Sequence, residues 1–248
     1  MAQQSGILGI RGTVGGLVFA KDGSIRQKPA SNKASFNSSA SMARTRENAS
    51  EFAEAASSGK LLRDALRATI QTASDSKMVS RLTQKMREII GFDEDNDRGG
   101  RMVLKDNIAG LLGFNFNVGA GISQSLFFGY AVSHANADVT LNISGINPQT
   151  DITAPQGATH YEVVFGAAAL NFEAKTYTSG AVAAPLGVQA LAGPVVAAQA
   201  VTATLSAAPT VEETVIAVLG INFYQQLNGK YYPLNNNGSN PLAIGYVA

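Results

Sequence analysis

At 248 residues the chain is long enough to bury a core of its own, and the absence of Cys excludes disulfides, thiolate metal sites and thiol nucleophiles. The formal net charge is only +1, yet residues 1–106 carry 17 Lys or Arg against 12 Asp or Glu (net +5), and residues 107–248 carry 2 against 6 (net −4). Eight charges in 142 positions fall far below the roughly one in four of ordinary soluble domains, so that surface must be wetted by amides and hydroxyls or be covered.

Residues 7–28 read as a glycine-punctuated arm ending in a β-hairpin. The runs 17–21 and 24–28 flank Asp22-Gly23, a strong turn signal, and place Leu17, Phe19 and Ile25 at alternating positions. Two strands alone are marginal in water, so these side chains, with Ile10 and Val14 as further anchors, need a surface to lie on. That surface is either the chain's own sheet or the edge of another subunit. Arg26 and Lys28 make the same arm basic; Pro29 ends the pairing, and 30–41 has the Ser/Asn/Ala composition of an extended linker.

A helical pattern follows in three segments. Residues 42–57 place Met42, Ala49, Phe52, Ala53 and Ala56 on one side, and Ser57-Ser58-Gly59 reads as a break. Residues 60–73 align Leu61, Leu62, Ala65, Leu66 and Ile70. The third segment is capped by Ser76, carries Met78, Val79, Leu82, Met86, Ile89 and Ile90 at helical spacing, and ends at Gly91. Short connections predict antiparallel neighbours in a small helical layer.

After the polar stretch 93–100 the apolar period changes from 3.6 to 2. Strands are expected at 112–118, 126–132, 137–144, 159–168, 170–177, 195–205, 214–224, 230–234 and 242–247, with Asn228-Gly229 closing a hairpin. Strands at this spacing, without helices between them, point to an antiparallel Ig-like β-sandwich. The expected fold class is therefore α+β: an arm with a β-hairpin over 1–40, a helical region over 41–106 and the sandwich over 107–248.

Groups that carry chemistry are sparse. Asp93, Asp95 and Asp97 resemble the start of a calcium loop, but Arg98 stands where its glycine is needed and Leu104 where its bidentate Glu is needed, so the segment reads as a solvated connection. His134 and His160 lack further ligands at metal spacing, and no Gly-x-Ser-x-Gly elbow exists. Gly12-Thr13-Val14-Gly15-Gly16 lacks the Lys-Ser/Thr of a phosphate loop. Residues 1–46, with Arg11, Lys21, Arg26, Lys28, Lys33, Arg44 and Arg46 against Asp22 alone, have no interleaved aromatics or reader motif. The basic stretch is read as docking onto an acidic protein surface or as simply solvated, ahead of nucleic-acid contact. No catalytic residue, metal site or cofactor is expected. The first eleven residues lack the basic-then-apolar pattern of a leader and no apolar run reaches eighteen, so the expectation is synthesis in the cytoplasm without Sec-type export and no membrane span.

Several segments carry a resemblance. Gly12-Thr13-Val14-Gly15-Gly16-Leu17-Val18-Phe19, Arg44-Thr45-Arg46-Glu47-Asn48, Gly59-Lys60-Leu61-Leu62-Arg63, Met78-Val79-Ser80-Arg81-Leu82-Thr83, Leu219-Gly220-Ile221-Asn222-Phe223-Tyr224-Gln225 and Asn228-Gly229-Lys230-Tyr231-Tyr232-Pro233-Leu234 together resemble a widespread, mostly uncharacterised family of Bacteroidota proteins. The resemblance spans nearly the whole chain and implies a fixed two-part architecture; it implies no chemistry.

Taken together, these features point to a structural subunit that binds copies of itself, or other structural proteins, through the arm residues Ile10, Val14, Leu17, Phe19, Ile25, Arg26 and Lys28. The products envisaged are a filament, tube, ring or phage-like particle. The alternative is a surface, glycan-binding or protein-binding module on a helical stalk, with Tyr130, Tyr161, Tyr177, Tyr224, Tyr231 and Tyr232 as stacking faces; the absence of Trp counts against its sugar-binding form. An enzyme ranks third, because catalysis needs convergent titratable groups and these are scarce.

Overall fold

The computed structural model describes residues 2–3, 10–28, 33–180 and 186–248. They fall into two compact units, Met1–Arg46 and Glu47–Ala248.

The first unit holds four short strands, β1 (Ala2–Gln3), β2 (Gly12–Val14), β3 (Leu17–Phe19) and β4 (Ser24–Gln27), in an antiparallel sheet ordered β1-β4-β3-β2. Gly15 and Gly16 both take left-handed φ values, +58° and +85°, which a two-residue hairpin turn requires. The glycine run is thus a second hairpin, in addition to the one expected at the end of the glycine-punctuated arm. Between β3 and β4 the turn occupies Ala20 to Gly23, with the Ala20 amide donating to the Ser24 carbonyl and Asp22 Oδ1 accepting from the Ser24 amide and hydroxyl. Part of the expected linker is helical: α1 (Lys33–Ser38) contains no Gly or Pro to oppose it. Arg46 donates to the Phe36 and Ser39 carbonyls, occupying acceptors that the helix end leaves open.

α2 (Ala43–Ala65) begins in the last residues of the first unit, runs on as the first element of the second, and is continuous through the expected break at 57–59. Tertiary packing overrides local propensity here: Ser58 is buried and hydrogen-bonded to Glu54, and a methyl group at Gly59 would lie 3.6 Å from Leu82. Gly59 faces the Leu82 and Met86 side chains of α4 (Met78–Ile90); the single turn α3 (Arg67–Ile70) lies between the two helices in sequence. Asp75, not Ser76, supplies the side chain at the start of α4, accepting from the Lys77 amide. Two further single turns, α5 (Ile122–Ser125) and α6 (Pro148–Asp151), punctuate the sheet region.

The strands form two antiparallel sheets. The smaller is β10-β6-β5, from β5 (Tyr130–Ala135), β6 (Asp138–Ile143) and β10 (Gln199–Thr204). The larger is built on β7 (His160–Asn171) and β11 (Thr214–Leu227), extended by β8 (Thr176–Ser179), β9 (Gln189–Ala190), β12 (Lys230–Pro233) and β13 (Leu242–Val247). The two expected strands at 159–168 and 170–177 meet as the single long β7, and the expected strand at 112–118 is reduced to irregular backbone bonded to β13. The Asn228-Gly229 turn joins β11 to β12 with φ values of +50° and +76°.

β7 and β11 are covered on both faces, which explains their near-continuous apolar sequences. One face sends Ala168, Leu170, Ile216 and Val218 into a cluster with Leu62, Leu82, Met86 and Ile89 from the helices. The other sends Val163, Phe165, Leu219, Ile221 and Phe223 against Val139, Leu141, Ile143 and Val201 of the smaller sheet. Helices, larger sheet and smaller sheet therefore form three layers with two buried interfaces. A bulge between Ala217 and Val218 lets Ile244 of β13 face the helix-side cluster while Tyr246 packs on the sheet-side one. Gly220 is required by close approach, since a methyl group there would lie 2.6 Å from the Pro241 carbonyl.

Candidate functional site

The arm residues singled out in the sequence occupy one small sheet. Pairing places Val14 opposite Leu17, Phe19 opposite Ile25 and Val18 opposite Arg26. Directly opposed residues share a face. Val14, Leu17, Phe19 and Ile25 therefore form one apolar face, and Val18 and Arg26 lie on the other. Ile10 precedes β2 and is exposed, and Lys28 follows β4, its amide donating to the Gly16 carbonyl at 2.7 Å. No residue from 10 to 28 is buried; Val14 is 62% exposed and Leu17 43%. A sheet of such short strands with an unburied apolar face has little to stabilise it by itself.

Charge divides at the same place. Residues 1–46 carry seven Lys or Arg and one Asp, net +6; residues 47–248 carry 12 against 17, net −5. Within 107–174 there is no Lys or Arg at all.

In the second unit, α2 and α4 leave an open apolar groove of about 560 Å³ between Phe52, Ala56, Val79 and Thr83, bordered by Gln84 and Arg87. The Arg87 guanidinium is anchored at the groove rim, 2.6 Å from Glu51, whose other oxygen accepts the Gly99 amide. Lys175 similarly reaches Glu54 and the Ser58 hydroxyl. These pairings across 117 to 121 positions tie β-sheet loops to α2, and no local spacing in the sequence announces them.

Polar groups collect at one end of the larger sheet. Tyr224 donates to Glu162 at 2.8 Å, Asn222 reaches the same oxygen at 3.4 Å, and the His160 ring lies 4.9 Å from the Tyr231 ring. Burial, then the hydrogen bond and charge of Glu162, push the Tyr224 hydroxyl up to about 12. His134 sits on β5 in the other sheet, its Nε2 2.6 Å from the Asn136 carbonyl oxygen. Among the described residues no three His, Cys, Asp or Glu side chains converge as a metal-binding group. The carboxylate of Asp93, the best calcium-like residue, accepts the amides of Asp95, Asn96 and Met102 and the Asn96 side chain, and so serves to fold its own loop. Among the described residues no helix is long and apolar enough to cross a membrane.

Comparison with protein-family models, curated proteins and solved structures finds no match to the chain.

Proposed function

We propose that the chain is a non-enzymatic structural subunit that assembles with copies of itself through its N-terminal arm and its low-charge β-rich unit, as a filament, tube, ring or phage-like particle. The observation that carries this reading is the arm: four apolar side chains share one face, none is buried, and the arm's charge of +6 is opposed by −5 on the rest of the chain. Docking the arm of one subunit on the acidic unit of the next covers that face and satisfies the charge in a head-to-tail sense, which repeats without closing unless the rotation closes a ring. Other structural proteins with an acidic, apolar surface are partners of the same kind. The reading of the two sheets as an Ig-like sandwich draws on their face-to-face packing alone, and helices cover the other face of the larger sheet.

Light scattering and electron microscopy of the full chain and of a chain lacking residues 1–30 test this. The full chain is expected as particles many times the 25.8 kDa subunit, and the shortened chain as small species. Unchanged particle size after truncation would refute the role of the arm.

A second reading, a module that binds a glycan or surface protein, draws on the polar end of the larger sheet. Tyr231 is exposed on β12 on the same face as His160, Glu162 and Tyr224, a grouping of aromatic faces and hydrogen-bonding groups suited to polyhydroxylated ligands. A monomeric chain that is retained on a polysaccharide column, and loses retention in Tyr231→Ala, would favour this reading over assembly.

A further inference from the structure

A strand at the edge of a sheet offers a row of backbone amides and carbonyls that another strand can complete, and natural chains blunt such edges with Lys, Pro, bulges, brevity or covering segments. Most edges of Glu47–Ala248 carry one of these devices. β12 has four residues, begins with Lys230 and ends on Pro233. The far side of β13 is covered by the 113–116 backbone, through bonds linking Gly113 and Phe114 with Ile244, and Phe116 with Leu242. β8 and β10 are joined at their ends by the Gly180–Leu205 bridge, and β9 has only two residues.

β5 has six residues, Tyr-Ala-Val-Ser-His-Ala, pairs only with β6, and contains no Lys, Arg, Asp, Glu or Pro and no register shift. β10 is also six residues long and uncharged, and differs from β5 in the bridge that ties its end to β8. Among the described residues no backbone hydrogen bond reaches β5 from the side away from β6. On its solvent face Ala131, Ser133 and Ala135 stand beside Asn142, Thr140 and Asp138, so no long side chain overhangs the edge.

We infer that β5 pairs antiparallel with β5 of a second copy across a two-fold axis, joining two three-stranded sheets into one sheet of six. The inference rests on the self-assembly reading but uses a different surface from the arm. Charge selects the partner. An isologous contact sets a surface against itself, which is tolerable only where that surface does not repel itself, and β5 is uncharged. The basic arm is drawn to carboxylates, and β5 has none to offer it. A two-fold interface at β5 and a head-to-tail interface at the arm together give each subunit two independent contacts, enough to extend an assembly.

The pleat restricts the register. Tyr130, Val132 and His134 lie on the core side, opposite Ile143, Leu141 and Val139, and Ala131, Ser133 and Ala135 lie on the solvent side. Opposed residues must share a face, so the axis passes through Val132 or through Ser133. With the axis at Val132, Tyr130 faces the partner's His134; with the axis at Ser133, Val132 faces the partner's His134.

The natural chain contains no Cys, so single substitutions report the contact directly. Opposed Cα atoms in an antiparallel pair lie about 4.5–5.5 Å apart, within the span of a disulfide. Full-length Val132→Cys or Ser133→Cys, oxidised with glutathione disulfide, is expected to give a covalent dimer at one of the two positions, with none from Thr202→Cys on β10. Independently, Ser133→Lys is expected to weaken the dimer about a hundredfold by sedimentation while leaving the melting temperature unchanged, since Ser133 is exposed. No cross-link at either position, in a chain that still assembles to full size as Ser133→Lys, would overturn the inference and spare the assembly reading. Preferential cross-linking of Ser133→Cys to a Val14→Cys chain would also overturn it, by giving the edge to the arm. A full-length chain that stays monomeric at every concentration would remove both.

Discussion

The arm and the layered unit are built from the same kinds of strand, yet they hold them by different means. In Glu47–Ala248 the long strands β7 and β11 are buried on both faces, between helices and a second sheet. In residues 10–28 the strands have three or four residues, two of their turns are glycine-shaped, and no side chain is buried. Hydrogen bonding and turn chemistry are sufficient to define an antiparallel sheet; apolar burial is what makes one stable on its own. The comparison predicts large effects on unfolding from the layered unit, and effects on assembly from the arm.

The largest expected cost follows from separating Glu51 from its cation. Glu51 is 1% exposed and Arg87 is 34%, so Arg87→Met strands a buried carboxylate while the reverse loss leaves a cation that water can reach. Arg87→Met should destabilise by about 3–5 kcal/mol in urea unfolding; a loss below about 1 kcal/mol would show the pair to be well hydrated. Leu82→Ala removes a fully buried side chain that packs over Gly59, with an expected loss of about 3 kcal/mol by the same measurement.

Acid should act on the same unit. Burial by itself would raise the carboxyls of Asp75 and Asp93, but the Val118 amide, Arg81 and the Lys77 amide around Asp75, and the Met102 and Asn96 groups around Asp93, hold both below the ordinary 3.8. Groups depressed in the folded state contribute stability that is present above the unfolded value and is lost as pH falls through the folded one. The urea midpoint should therefore hold steady above about pH 5 and decline below 3.8, and Asp93→Asn, which costs about 2 kcal/mol at pH 7, should flatten that decline.

The smallest effects separate the regions most sharply. A methyl group at Gly59 meets only ordinary contacts, at 3.6 Å or more from Leu82 and Met86, so Gly59→Ala should stabilise α2 by about 0.5–1 kcal/mol. A loss instead would show that α2 and α4 need glycine for their approach. Phe19→Ala in the arm should change unfolding by under about 0.5 kcal/mol, because the side chain is only half-buried, while reducing particle mass in light scattering. Equal effects of Phe19→Ala and Leu82→Ala on unfolding would erase the contrast between arm and layered unit.

Alternation and turn residues made much of this architecture readable in advance. The pairing of 17–19 with 24–27, the strands at 138–143 and 242–247, the Asn228-Gly229 hairpin and the amphipathic α4 all follow from local pattern. The change of period after residue 100 announced antiparallel sheets beyond the helices, and an α+β chain is what the structure shows. Legibility failed where remote contacts decide. Ser57-Ser58-Gly59 reads as a break, but burial against Leu82 and Met86 keeps α2 whole. Gly166-Ala167-Ala168-Ala169 weakens any strand signal, yet coverage on both faces makes β7 continuous.

The candidate surfaces divide in the same way. Composition by itself determined that charge is scarce after residue 106 and that the first 46 residues are basic, because ionised side chains can be counted without a fold. The order of strands decided the rest. Which edge of the layered unit remains open, and which loop lysine reaches the Glu54 carboxylate of α2, depend on partners far apart in sequence, 121 positions for Lys175 and Glu54. Those pairings are set by closing two apolar interfaces on β7 and β11 at once, a condition that no single segment of sequence expresses.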